Sequence, residues 1–215
     1  MNGHFRQHIE AKYGSVVEDG QEKLMEAIVG LIEYGRDPEQ SLHSFLEQVA
    51  QLVSRSLRFD EIVIGLYDRK ANDYCNEVVF GYGSEAVTEL MQLRYTIEDL
   101  KNQERAPRVR IGKLAEFSRA QGSPTSERGW HPGLPAGVNV RKPVNAFERG
   151  DSIVVWIRNP RMGVVGWIKV SHPHNSEFPP KISVLWLELI ASICACVVLQ
   201  HWHQENRARG SENGQ

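Results

Sequence analysis

DSIVVWIRNPRMGVVGWIKV (residues 151–170) followed by KISVLWLELIASICACVVLQHWH (residues 181–203) decides how this chain is read. Ser152 to Ile157 is β-branched and aromatic, as a strand requires. Asn159, Pro160 and Gly163 supply turn chemistry, and Val164 to Val170 reads as a second strand, so the pair predicts a hairpin. His172, Pro173, Asn175, Pro179 and Pro180 interrupt the pattern before a helix that starts near Lys181.

That helix is apolar nearly all round. One face holds Ile182, Leu185, Trp186, Leu189, Ile193, Cys196 and Val197 at three- and four-residue steps. A second set, Val184, Leu187, Ala191, Cys194 and Val198, is apolar too, and only Glu188 and Ser192 mark a polar strip. A helix of this kind needs cover on more than one side. One sheet covers one face; the second set is therefore expected to meet a partner helix across a homodimer interface. The competing reading is a membrane span, since about 18 mostly apolar residues approach the length required. Against it stands Glu188, which would cost roughly 2.5–3.5 kcal/mol at a span's centre, and the proline pair at the helix start.

Working toward the N-terminus, residues 112–150 form a long connection rich in Gly and Pro, too long to be an incidental loop inside a compact domain. Between Lys101 and Gly150 there are ten Lys and Arg against four Glu, while the whole chain carries a net charge of −2. Concentrated positive charge of this kind attracts anions. Val109 to Ile111 reads as a short strand. Thr96 with Asp99 three residues on is a capping-box start, and Ser84 is read as the cap of a short helix carrying Val87, Leu90 and Met91.

In the front half, Glu22 to Tyr34 predicts a helix stopped by Gly35. Asp37, Pro38 and Gln40 read as N-cap, first turn and capping-box partner of a second helix. Its stripe is Leu42, Phe45, Leu46, Val49, Leu52, Val53 and Leu57. Glu61 to Asp68 and Tyr74 to Tyr82 follow as two strands joined by a polar turn. The domain is thus expected over residues 22–203, with an N-terminal extension over 1–21 and a flexible tail over 204–215. Consecutive strands joined by short turns imply antiparallel pairing and an α+β class.

The second helix, the strand EIVIGLYD, the hairpin SIVVWI and VVGWIKVS, and the proline-initiated apolar helix after it together resemble the GAF domain family of small-molecule sensor modules, over roughly residues 22–203. The resemblance implies a central antiparallel sheet with N- and C-terminal helices packed on one face and a long loop and helix region on the other, over a ligand pocket. It also implies a regulatory role, a homodimer, and a separate signalling protein as a further partner. A ligand-free dimerisation or scaffold module is the alternative. The cyclic-nucleotide members' Asn-Lys pair is absent, and no cysteine stands beside His172-Pro173-His174 to attach a bilin. A GAF-type redox enzyme is disfavoured because Cys194 and Cys196, two apart on a helix, diverge by about 200°, and because apolar burial makes a thiol inert.

The expected ligand contacts are Arg110, Trp130, Arg141 and Trp156, the arginines for a carboxylate or phosphate and Trp130 for stacking. The expected ligand is small and anionic or aromatic; no cofactor is named by the residues. No Walker loop, nucleophile elbow or His-Glu-x-x-His is present, so the chain is read as a non-enzyme. No helix-turn-helix or zinc-finger spacing indicates nucleic acid. His172 and His174 flank a proline in a loop and could converge on a metal or haem, but few supporting ligands accompany them, so no metal site is assigned. His201 and His203 are read as complementing the dipole at the helix end. Three cysteines give no disulfide framework and the first residues lack a secretory core, so a cytoplasmic location is expected, with no membrane partner.

Overall fold

The computed structural model describes residues 20–102, 108–119, 147–148 and 150–212. Its elements are α1 (Gly20–Arg36), α2 (Leu42–Leu57), β1 (Phe59–Asp68), β2 (Asp73–Phe80), α3 (Ser84–Gln92), β3 (Arg94–Tyr95), α4 (Ile97–Lys101), β4 (Arg108–Arg110), β5 (Ala115–Ser118), β6 (Ser152–Asn159), β7 (Gly163–Pro173) and α5 (Lys181–Glu212). The strands form one seven-stranded sheet in the order β3-β2-β1-β7-β6-β5-β4, every pairing antiparallel. The two hairpins read from sequence, β1–β2 and β6–β7, meet along β1 and β7 at the centre of the sheet.

Side-chain alternation sorts the sheet into two faces. Ile62, Ile64 and Leu66 of β1, Ile153, Val155 and Ile157 of β6, and Ile168 and Val170 of β7 pack into one cluster with α1, α2 and α5. The opposite face gathers Tyr74, Val154 and Trp167 against Leu100 of α4. Trp167 lies fully buried there because Gly65 leaves room for it: a Cβ at Gly65 would overlap the indole, while one at Gly166 would strike the Gly65 carbonyl and part the two strands.

The structure corrects several boundaries. Gly35 does not stop α1; it lies inside the helix, where a Cβ would stand 2.8 Å from both Phe45 and Val197, so its role is close packing. The N-cap of α2 is Ser41, whose hydroxyl accepts from the Ser44 N–H at 3.0 Å. Asp37 instead builds the preceding turn, accepting from the Glu39 N–H and the Gln40 side chain. Gly83, not Ser84, caps α3. The capping box of Thr96 and Asp99 is present with both of its hydrogen bonds. Within residues 112–150, Ala115–Ser118 is a strand; most of the remainder lies outside the described residues. α5 continues through residues 204–212 read as tail, so His201 and His203 lie within the helix and not at its end.

The most consequential correction concerns α5. Val184, Leu187, Ala191, Cys194 and Val198, expected at a dimer interface, are buried against the sheet in the domain's own core. The other face is the open one: Ile182, Leu185 and Leu189 are 42%, 47% and 43% exposed. Both faces are apolar, so the composition of the helix gives no signal of which one the sheet takes. Glu188, 8% exposed, accepts the Leu114 N–H at 2.6 Å and the Ala115 N–H at 3.1 Å. By length and hydropathy Lys181–Arg207 could cross a membrane, yet half of its most apolar window is buried inside the domain. A core helix passes the same length and hydropathy test, and the burial of the carboxylate against backbone donors makes α5 a core helix here.

Leu187→Arg would place an unpaired charge in this core; the variant is expected to lose its cooperative thermal transition, not merely to change its association state. Gly65→Ala should lower stability by about 1–3 kcal/mol through overpacking against Trp167, read from the shift in urea midpoint. An unchanged midpoint would show that the indole has room to move.

Candidate ligand cleft

The face of the sheet turned away from α1, α2 and α5 carries most of the polar chemistry. Cross-strand register places Glu116, Val154, Lys169 and Val63 in one row and Trp156, Trp167 and Gly65 in the next. α4 stands over one side of these rows. Between them opens a cleft of about 180 Å³ lined by Ile97, Leu100, Arg108, Glu116, Trp156, Arg158 and Val164.

Arg108 dominates this cleft. Its side chain is 6% exposed, its Nη1 lies 3.5 Å from Glu116 Oε2, and Nη1 also donates to the Leu100 carbonyl at 3.0 Å. The guanidinium carbon stands 5.1 Å from the centroid of the Trp156 ring, a cation–π distance. Burial lowers the pKa of Arg108 and Glu116 opposes that shift; a guanidinium starts so high that it stays charged. The cleft therefore presents a planar cation lying against an indole, with apolar walls and one carboxylate.

Deeper in the same face, Lys169 is buried and its pKa is lowered to about 8, first by burial, with Glu61 opposing and Arg108 adding to the shift. Tyr82 is pushed up to about 12, chiefly by burial, and its hydroxyl interacts with Ser171 and Glu61. Among the described residues that line the cleft there is no thiol or hydroxyl nucleophile. Burial raises the Cys75 thiol to about 12, with its hydrogen bond to Glu77 adding to the effect, and burial raises Cys194 to about 12 as well. Burial-based inertness holds for those two; Cys196 is exposed, contrary to the expectation from sequence.

Of the expected contacts, Trp156 lines the cleft. Arg110 does not: its guanidinium donates to the Gly112 and Lys113 carbonyls at 2.9 and 3.0 Å, closing its own turn. Trp130 and Arg141 lie outside the described residues. The sequence reading missed Arg108, Glu116 and Lys169. The pattern Arg108-Val109-Arg110 puts both arginines on one side of β4, but only packing beneath α4 selects Arg108. His172 and His174 pair with separate carboxylates, Glu61 at 2.8 Å and Asp60 at 2.9 Å. Among the described residues no group of three or more His, Cys, Asp or Glu could hold a metal ion. A second groove, about 300 Å³ between α1 and α2, includes Ala27, Gly30, Tyr34, Gln51 and Arg55 and contains none of the expected contacts.

The buried lysine makes a pH-dependent prediction. Lys169 binds its proton less tightly folded, at about 8, than at the ordinary lysine value of 10.5. Between these values the unfolded chain holds more protons, so the unfolding free energy contributed by this residue rises with pH. Below that window both states are charged and the full burial penalty remains. Lys169→Met should raise the urea midpoint at pH 7 and flatten its increase above pH 8; parallel profiles for the two proteins would show that another group titrates.

No family model matches the sequence, and comparison with curated proteins gives no significant match. Solved structures do match. A GAF domain from the Acinetobacter phosphoenolpyruvate-protein phosphotransferase superposes with a TM-score of 0.54 at 14% identity, covering 84% of this chain and 94% of that one. The GAF domain assigned to a sensor histidine kinase of Pseudomonas syringae pv. tomato gives 0.55 at 13% identity, covering 88% and 94%. The phycoerythrobilin-bound GAF domain of a cyanobacterial phytochrome gives 0.50 at 11% identity, covering 88% and 100%. Identity this low establishes architecture alone, and that architecture agrees with the antiparallel sheet and helical layer described above: the chain has the GAF fold.

Proposed function

We propose that this chain is a cytoplasmic regulatory domain that binds a small planar ligand, anionic or aromatic, in the cleft beneath α4 and acts as a homodimer on a separate signalling protein. The observation that carries the reading is Arg108 lying over Trp156 in a sheltered cleft. An indole offers a stacking surface, and a guanidinium offers planar donors to a carboxylate or phosphate. The solved domains of similar fold come from a phosphotransferase, a sensor kinase and a phytochrome, which supports a sensory role.

The dimer is proposed through the open face of α5. Ile182, Leu185, Leu189, Ser192, Cys196 and Leu199 recur at steps of three and four residues, the spacing of a helix–helix seam. Met25 and Val29 of α1 are also exposed. Glu188 points inward to the Leu114 and Ala115 amides, so its charge does not interrupt this seam.

The alternative, a ligand-free dimerisation module, is favoured by one observation. The cleft, at about 180 Å³, is smaller than the roughly 300 Å³ at which ordinary small-molecule sites begin. Mass spectrometry of the purified protein for a co-purifying small molecule, followed by a thermal-shift screen of aromatic carboxylates and nucleotides, separates the two. For any ligand found, Trp156→Ala should weaken binding by about tenfold, the loss of one desolvated cation–π and stacking surface; equal affinities by calorimetry would place the ligand elsewhere.

Leu189→Arg should convert the dimer to a monomer by light scattering while leaving the far-ultraviolet circular dichroism unchanged. Mild oxidation should cross-link two copies through Cys196 if the seam is parallel, and Cys196→Ser should abolish the link. A wild-type protein that stays monomeric at tens of micromolar would end the dimer reading.

A further inference from the structure

We infer that Glu188 couples the cleft to the orientation of α5, with Leu114 as the link they share. The inference rests on the reading of the cleft and of α5 given above. Leu114 donates its N–H to the Glu188 carboxylate at 2.6 Å, and its carbonyl accepts the N–H of Trp156 at 3.0 Å. One residue thus joins the helix to the cleft wall through two hydrogen bonds. Ala115 reinforces the link: its N–H donates to the same carboxylate oxygen at 3.1 Å, and its carbonyl accepts from Ile111 and Gly112.

The turn so held joins β4, which carries Arg108, to β5, which carries Glu116, and these two residues meet across the cleft at 3.5 Å. Gly112 is required for the approach, because a Cβ there would collide with the Glu188 carboxylate. Arg110 secures the same turn through the Gly112 and Lys113 carbonyls. A ligand that parts Arg108 from Glu116, or shifts Trp156, therefore moves a turn whose amides are fixed to α5.

α5 has a second polar tether near its other end. Arg69 donates to the Trp202 carbonyl at 3.4 Å and to Asn206 at 2.9 Å, and its guanidinium lies 5.5 Å from the Trp202 ring. Between the two tethers the helix packs into the core through Ala191, Cys194 and Val198, apolar contacts without directional preference. A displacement at Glu188 with Arg69 holding the far end tilts the helix, and Leu185 and Leu189 on the open seam move with it. Coupling of this sort is reciprocal, so a change on α5 also reaches the cleft.

The test needs no ligand. Hydrogen exchange is measured by mass spectrometry over residues 185–192 in four proteins: wild type, Trp156→Ala, Glu188→Gln and the double variant, a double-mutant cycle. Trp156→Ala should speed exchange in this α5 segment about tenfold in the wild-type background, within the range shown by residues of one hydrogen-bond network, and should have no further effect when Glu188 is Gln. The same acceleration in both backgrounds, or none in either, would overturn the inference. If Glu188→Gln does not fold, Gly112→Ala displaces the carboxylate and takes its place in the cycle. Sedimentation of the same samples reports the dimer separately: a monomer would remove the association reading, while the exchange comparison would still decide the coupling.

Discussion

The carboxylate of Glu188, held by the Leu114 and Ala115 amides, is the constraint on which the arrangement depends. Burying a carboxylate is costly unless donors replace its water. Two backbone N–H groups do so here, and they are supplied by a turn at which a Cβ on Gly112 would collide with the carboxylate they hold. The interaction fixes the rotation of α5 about its axis. Once Glu188 faces inward, Val184, Leu187 and Ala191 must face the sheet, and Ile182, Leu185 and Leu189 must face out. An otherwise ambiguous apolar helix thereby acquires one orientation.

The two faces of the sheet have different chemistry for the same geometric reason. Alternation along β1, β6 and β7 sends β-branched and aliphatic residues to the helical layer, while Glu61, Lys169, Trp156 and Trp167 go to the other side. A polar residue buried on that second face must be matched by neighbours of opposite charge or by hydrogen bonds. Arg108 has Glu116 and the Leu100 carbonyl, and Lys169 has the field of Glu61. The result is a face rich in fixed charge and aromatic surface, a combination suited to recognition and not needed for packing alone.

Fold and function separate clearly in this chain. The superpositions with GAF domains cover most of the chain at 11–14% identity, so shape persists where side chains do not. Function lives in sites grafted on a fold, and in this chain the cleft is lined by Arg108, Glu116, Trp156 and Arg158 among others. Leu114 bonds to Trp156 on the cleft side and to Glu188 of α5, and so links the cleft face to the helical face.

The sequence by itself determined most of the elements, though not β3 or β5. The β-branched and aromatic runs of β1, β2, β6 and β7, the stripe of α2 and the Thr96 capping box each arise from local preference, which a short window of residues contains. It also placed Trp156 among the candidate contacts. Tertiary structure alone decided which face of α5 is covered, because both faces are apolar and only the distant amides of Leu114 and Ala115 orient Glu188. It decided likewise that Ser41 and not Asp37 caps α2, since either side chain can accept the bond and the turn after α1 occupies Asp37. And it chose Arg108 over Arg110 for the cleft: the two share one side of β4, and what separates them is the shelter of α4 and the pull of the Gly112 and Lys113 carbonyls, contacts made by packing that no spacing of residues encodes.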